Sequence, residues 1–281
     1  MDSDRIFQVN VREVLRSKAP TIYKKIPGFV INLLAKLICQ DELNAVLTQN
    51  APLIGVPFME NMLRIFDTRL QLHGTENLPT ADHRCIFASN HPLGGMDGVC
   101  LSTALGKHYE GNIRYLVNDI LYFVEPLQDI FLPVNKHGAQ AKKATVLLNE
   151  AFASDNQIIT FPAGLCSRRK KGVIRDPHWK KMFISKAVEH RRDVIPVYFD
   201  AKNSNFFYNL ANIRTALGIK FNIEMLFLPR EMFKKQRTVM NIYFGKPIPW
   251  QTFDSSKTLQ QWAEEVENRV YNIKIRYESI L

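Results

Sequence analysis

Apolar residues recur at Ile26, Phe29, Val30, Leu33, Leu34, Leu37 and Ile38. Alternating steps of three and one place them in a single stripe along a helix. Pro27 stands at the start of that stretch, where its missing N–H matters least. The first 66 residues or so share this helical pattern. The face opposite the stripe carries only Asn32, Lys36 and Gln40. Two destinations are open to the stripe: packing on the rest of the chain, or partial entry into a membrane interface.

From about residue 67 the pattern changes to strands alternating with helices. Arg69–His73 alternates and stops at Gly74, and Cys85–Ser89 is a short apolar run stopped by Asn90-His91-Pro92. Asp97 is placed to cap a helix over 98–106. A strand follows at Ile113–Val117, a helix at Ala139–Ala153, and a strand at Ile158–Phe161 that ends on Pro162-Ala163-Gly164. Pro177–His190 is predicted as a helix, and Val194–Phe199, Phe221–Leu228 and Val239–Phe244 as strands. Leu259–Tyr277 is predicted as a closing helix. The order predicts an α/β fold with a mixed, largely parallel sheet flanked by helices. It divides the chain into an N-terminal helical segment, 1–66, and an α/β domain, 67–281. In such sheets ligands gather at the carboxyl ends of the strands, which singles out the loops Asn90–Gly98 and Pro162–Lys171.

Charge adds a partner to this outline. The 281 residues hold 37 Lys and Arg against 27 Asp and Glu, a net +10. Between 168 and 192 there are ten cations and two acids, a local +8. An anionic partner is expected: lipid headgroups, a phosphorylated cofactor tail or an acidic protein. No nucleic-acid motif accompanies the cations, so nucleic acid is not expected. Cysteines 39, 85, 100 and 166 form no CxxC pair, and Met1 to Lys18 has no apolar signal core. The longest uncharged run, Leu43 to Met59, carries polar residues and two prolines and does not predict a span. The expectation is a cytoplasmic protein, peripheral at the inner face of the cell membrane.

The chemistry concentrates at Asn90-His91-Pro92-Leu93-Gly94-Gly95-Met96-Asp97-Gly98. A histidine at a strand end can act as a base when a carboxylate fixes its tautomer, and Asp97 is six positions away. Without a catalytic role, the same residues are a strand-end histidine and a capping aspartate. No third ligand lies near them, so no metal is expected. The second concentration is Phe161-Pro162-Ala163-Gly164-Leu165-Cys166-Ser167-Arg168-Arg169-Lys170-Lys171, a turn leading into four cations. Cys166 has no base beside it in sequence and is a poor nucleophile. No G-x-S-x-G, G-x-x-x-x-G-K-[ST] or G-x-G-x-x-G pattern is present, which removes support for hydrolase-elbow, nucleotide-hydrolysing and dinucleotide chemistry.

Four segments in order resemble the glycerolipid (lysophospholipid) acyltransferase family, the enzymes similar to phosphatidic-acid synthases. Asn90, His91 and Asp97 match its Asn-His and Asp block, with five intervening residues where four are usual. Phe131-Leu132-Pro133-Val134-Asn135-Lys136 matches the second block, with Asn135 or Lys136 where Arg is usual. Phe161-Pro162-Ala163-Gly164-Leu165-Cys166-Ser167 matches Phe-Pro-Glu-Gly-Thr-Arg-Ser with Glu, Thr and Arg replaced. Val194-Ile195-Pro196-Val197 matches the fourth. Leu72–Pro79 and Ile242–Ile248 look like the family's first strand and last strand, so the resemblance covers roughly 70–250.

The resemblance implies O-acyl transfer from acyl-CoA or acyl-carrier protein to a lysolipid hydroxyl at a membrane surface. His91 is then the base and Asp97 its orienter. Asn90, Gly94, Gly95, Asn135, Lys136, Phe161, Pro162, Gly164, Ser167, Arg168, Arg169 and Pro196 are the implied substrate-binding positions. No cofactor is implied beyond the acyl thioester as co-substrate. Backbone N–H groups of Gly94–Gly98 or of the Gly164 loop are the expected oxyanion donors. The lost Glu and Arg imply an acceptor other than lysophosphatidic acid, such as a lyso-amino-acid lipid of ornithine or glycine type. The alternatives are a 1-acylglycerol-3-phosphate acyltransferase and a non-catalytic lipid-binding protein on the same fold.

Overall fold

The computed structural model describes residues 8–118, 124–134 and 139–278. Five helices come first: α1 (Val11–Lys18), α2 (Pro20–Tyr23), α3 (Gly28–Leu37), α4 (Gln40–Asn50) and α5 (Gly55–Ile65). The Asn10 side chain caps α1 by accepting from the Arg12 and Glu13 N–H groups. In α3 only Ile31 is buried, whereas Phe29 and Leu33 are 72% and 53% exposed. The predicted stripe is therefore not one buried face. The helix touches α1 and α4, and the face between those contacts centres on Ile31. The other prospect, a membrane interface, remains for the exposed part. Helix α5 buries Phe58, Met59, Met62 and Leu63 in the same core as the sheet, so the boundary at 66/67 separates kinds of element rather than separate cores.

The main sheet has seven strands: β1 (Arg69–His73), β2 (Cys85–Ser89), β3 (Ile113–Asn118), β4 (Phe131–Val134), β5 (Gln157–Thr160), β8 (Asp193–Asp200) and β9 (Val239–Phe244). They lie in the order β1-β9-β8-β2-β5-β3-β4. Strands β8, β2, β5, β3 and β4 run parallel, while β1 and β9 run the other way. The fold is the expected mixed, largely parallel sheet. Alternation sorts its side chains by face. Cys85, Phe87, Ile159 and Ile195 face α5 and α6 (Met96–His108), whereas Ile86, Ala88, Ile158 and Val194 join a core with α8 (Met182–His190) and α11 (Leu259–Glu278). Helix α7 (Ala139–Ala153) adds Ala151 and Phe152 to that second core.

Three predicted elements differ. Helix α6 starts at Met96, so Asp97 lies inside the first turn rather than capping it. The helix predicted from Pro177 begins only at Met182, because Trp179 is fully buried and the Lys180 N–H donates to the Pro162 carbonyl. Phe221–Leu228 is no strand: Ile223–Phe227 is a 3₁₀ turn running into α10 (Leu228–Phe233). A short apolar run does not distinguish strand from helix, and β8 already pairs directly with β9. Two elements carried no clear sequence signal: the hairpin β6 (Arg168–Lys170) with β7 (Val173–Arg175), and α9 (Asn205–Ala216).

Candidate active site

Strands β2 and β5 are neighbours, with Ala88 opposite Thr160. Their carboxyl ends therefore deliver His91 and Phe161 to one place. The two rings stack with centroids 4.2 Å apart. Strand β2 is also where the connections part: α6 leads to β3 on one side, and α8 leads to β8 on the other. Such switch points open crevices for ligands.

The loop after β2 turns back on itself. His91 Nδ1 lies 2.9 Å from Asp97 Oδ2, and the same oxygen accepts the Leu93 and Gly94 N–H groups, while Oδ1 accepts from Gly98. Asp97 is fully buried. Burial pushes its carboxyl up, but His91 and these N–H groups outweigh burial and hold it below the usual range. Asp97 thus holds Nδ1 and leaves Nε2 for a ligand. Gly94 has φ +82°, and a Cβ there would stand 2.8 Å from the Leu228 side chain. The left-handed backbone there favours glycine, and a Cβ would in addition have to displace the end of the Leu228 side chain.

A cavity of about 340 Å³ opens beside His91. Its walls include Tyr115, Leu116, Val134, Leu148, Phe183 and Met225, an apolar set suited to an alkyl chain. Phe161, Pro162, Gly94 and Gly164 also line it. Among the described residues, Lys180 is the only Lys or Arg that lines it. Its Nζ would be 3.3 Å from a Cβ on Gly164.

Asp176 joins the two sequence blocks. Its carboxylate accepts from the His91 main-chain N–H at 3.0 and 3.1 Å, from Ser167 Oγ at 2.5 Å and from Trp179 Nε1 at 3.0 Å. The Ser167 N–H in turn donates to the His91 carbonyl at 2.8 Å. Burial pushes the Asp176 carboxyl up despite these donors. Asn203 holds the same loop by donating to the Pro92 carbonyl. Sequence reasoning missed Asp176, Asn203, Tyr115 and Lys180. Asp176 had a weak signal, since it is the only acid between Phe161 and Val188. In Asp176→Asn the His91 main-chain N–H loses one of its two carboxylate acceptors, and the ring loses a nearby negative charge. We expect kcat to fall about 10–100-fold and the acid limb of the pH–rate profile to move down. A purely structural role would change stability and leave that limb in place.

The acyltransferase family model matches residues 13–279. The chain belongs to that family and is an acyltransferase. It is 51% identical, over 97% of its length and 100% of the relative, to the lyso-glycine lipid O-acyltransferase of Bacteroides thetaiotaomicron. It is 50% identical, over 97% of its length and 98% of the relative, to the protein of the same name from Phocaeicola vulgatus. The crystal structure of the 1-acyl-sn-glycerophosphate acyltransferase PlsC from Thermotoga maritima shares the fold, with a TM-score of 0.50 and 17% identity. That match covers 86% of this chain and 95% of the other.

Within this acyltransferase the expected binding positions fall into separate places. His91, Gly94, Phe161, Pro162 and Gly164 meet at the cavity, and Gly95 ends the loop just ahead of α6. Asn90 is buried, and its amide both donates to and accepts from the Phe199 main chain, holding β2 to β8. Ser167 is buried against Asp176. Arg168 turns to Glu224, and Arg169 turns to Asn205 and Asn209. Pro196 lies within β8 where β9 leaves the sheet, its carbonyl accepting from Gly245. Asn135 and Lys136 lie outside the described residues. Cys166 is buried, which pushes its thiol up to about 11 and keeps it protonated. Of the expected oxyanion donors, the Gly94 and Gly98 N–H groups are engaged by Asp97, and that of Gly164 by the Phe161 carbonyl, which narrows the Gly94–Gly98 turn to its inner N–H groups.

Proposed function

We propose that this acyltransferase moves a fatty acyl group from a thioester, acyl-CoA or acyl-carrier protein, to the hydroxyl of a lyso-glycine lipid. His91 Nε2 takes the hydroxyl proton, and the oxygen attacks the thioester carbonyl. The C–S bond then breaks, and the thiolate leaves with the proton that His91 held. The N–H groups of Gly95 and Met96 at the start of α6 meet no acceptor among the described residues, and we assign the oxyanion to them. The reaction class rests on the His91–Asp97 pair beside an apolar cavity. The acceptor rests on the two relatives that are about half identical over nearly the whole chain. Lys180 suits it, because a glycine headgroup ends in a carboxylate.

No helix among the described residues is long and apolar enough to cross a membrane. We place the enzyme as a peripheral protein at the inner face of the cell membrane, where its acceptor lies. The deciding experiment offers wild type labelled acyl-CoA and, separately, acyl-carrier protein on vesicles holding lyso-glycine lipid or lysophosphatidic acid. Transfer to lyso-glycine lipid supports the reading. Phosphatidic acid as the sole product overturns the acceptor, and no transfer from either donor to either acceptor overturns the reaction class.

Two results are expected once that assay is in hand. Burial pushes the His91 imidazolium down, but Asp97, by charge and hydrogen bond, and Asp176 behind it raise the pKa above the ordinary 6.5. A base must be neutral, so kcat/KM should fall as pH drops through a midpoint above 6.5. Asp97→Asn should move that midpoint down and, by losing the correct tautomer, lower kcat roughly 10²–10⁴-fold. An unmoved midpoint would argue against the pair. Lys180→Met should raise the acceptor KM about tenfold by removing one charge-assisted contact, with the donor KM unchanged. A rise in the donor KM alone would assign Lys180 to the thioester's phosphates instead.

A further inference from the structure

Antiparallel neighbours need only a short turn between them. Strand β8 ends at Asp200 and its partner β9 starts at Val239, so a long insertion stands where two to five residues suffice. Long insertions in compact domains are usually functional. This one touches the active site from above: Met225 lines the cavity and Leu228 packs over Gly94. Its framework is firm. Helix α9 buries Phe207, Tyr208 and Ala211. Buried Glu224 receives both Arg168 at 2.9 Å and Arg214 at 2.8 Å, tying the insertion to β6.

Its outer surface has an unusual makeup. Residues 215–221 are exposed throughout, with Leu217 at 69% and Phe221 at 65%, and Ile213 on α9 is 57% exposed. The only two acids between residues 201 and 238, Glu224 and Glu231, are both buried. Every exposed charged residue there is a cation: Lys202, Lys220, Arg230, Lys234 and Arg237. The adjoining hairpin adds exposed Lys170 and Lys171 beside exposed Val173. Along this insertion, exposed apolar side chains accompany cations with no exposed acid, although Lys234 is paired with buried Glu231; that composition complements an anionic bilayer surface, which takes both. A protein partner held by those cations would leave the tip's leucine and phenylalanine unexplained unless it were apolar as well.

We propose that residues 213–221 form a membrane-contact tip: Leu217 and Phe221 enter the interface of an anionic bilayer and Lys220 meets its headgroups. The tip sets the cavity roof at the lipid surface. That purpose rests on the lipid acceptor assigned above, but the binding itself does not.

The test is co-sedimentation of the full-length protein with vesicles of phosphatidylcholine, with and without phosphatidylglycerol. Leu217→Ser/Phe221→Ser is compared with Phe29→Ser/Leu33→Ser on α3, and thermal melting checks that each variant is folded. Wild type should bind the anionic vesicles, more weakly as salt rises. The Leu217→Ser/Phe221→Ser pair should lose about tenfold or more in binding, and Lys220→Glu should lose affinity for anionic vesicles alone. Wild type that does not bind, a tip variant that binds like wild type, or a loss confined to the α3 pair would each overturn the proposal. Sedimentation reads no turnover, so failure to acylate lyso-glycine lipid would count against the function proposed above and leave this result standing.

Discussion

His91→Ala is expected to lower kcat by roughly 10²–10⁴-fold and to leave the KM for the acyl thioester within about twofold. The imidazole is committed on one side, Nδ1 to Asp97, and faces the cavity on the other. Removing it takes away the proposed proton acceptor and nothing that holds the acyl chain, which lies against Leu116, Val134 and Leu148 in the proposed complex. The ring also stacks on Phe161, so alanine leaves a small gap at the cavity mouth, where water can fill it. Single-turnover transfer from a labelled thioester measures the chemical step directly, and a thermal melt separates a catalytic loss from an unfolded protein. Wild-type turnover in a folded His91→Ala protein would remove the general-base mechanism.

Arg192→Met is expected to destabilise the fold by about 3 kcal/mol without touching the site. Arg192 is fully buried, and its guanidinium donates to the carbonyls of Phe152 at 2.7 Å, Asn156 at 2.8 Å and Cys85 at 3.4 Å, and to that of Ser154. These carbonyls close the C-terminal end of α7 and the approaches to β5 and β2, where a positive charge is also favoured by the negative end of the helix dipole. Burial first, then repulsion from Arg84, pushes the guanidinium down to about 10, so it stays charged at neutral pH. Methionine keeps the stem and leaves several buried carbonyls without donors, at about 1–3 kcal/mol each. Relief from burying a charge offsets part of that. Urea unfolding with an unchanged m value measures the difference. A loss below about 0.5 kcal/mol would show that water or neighbouring groups replace the donor readily.

Much of the site was legible because its parts are local. Asn90-His91 follows a buried strand and Asp97 stands one short loop later, in the first turn of the next helix, so sequence spacing alone nearly fixes their meeting. Phe161 and Gly164 were legible for the same reason, as the turn after the next buried strand. Lys180 and Asp176 were not, because each reaches the site across the fold. Asp176 binds the His91 backbone from 85 positions away, and no periodicity encodes that distance. The partners of Arg168 and Arg169 were not legible either, for a related reason. A cation beside a strand-end turn is in the right place for an anion, but Glu224 and Asn205, remote in sequence, hold the two side chains in this structure.

The apolar stripe in α3 and the segment 221–228 mark the same boundary from the side of secondary structure. Periodicity states which residues form a face, not what the face meets. Neighbouring helices centred the burial of α3 on Ile31, and the direct pairing of β8 with β9 left 221–228 no place in the sheet. By itself the sequence determined the alternating architecture, the His91–Asp97 pair and the basic character of the surface, since strand burial, loop spacing and charge are properties of short stretches. Only the tertiary structure decided which strands are neighbours, which cation faces the cavity, what anchors His91 and which apolar residues stay in solvent. Those depend on contacts between segments far apart in the chain, and burial and partner geometry act only once the chain has folded.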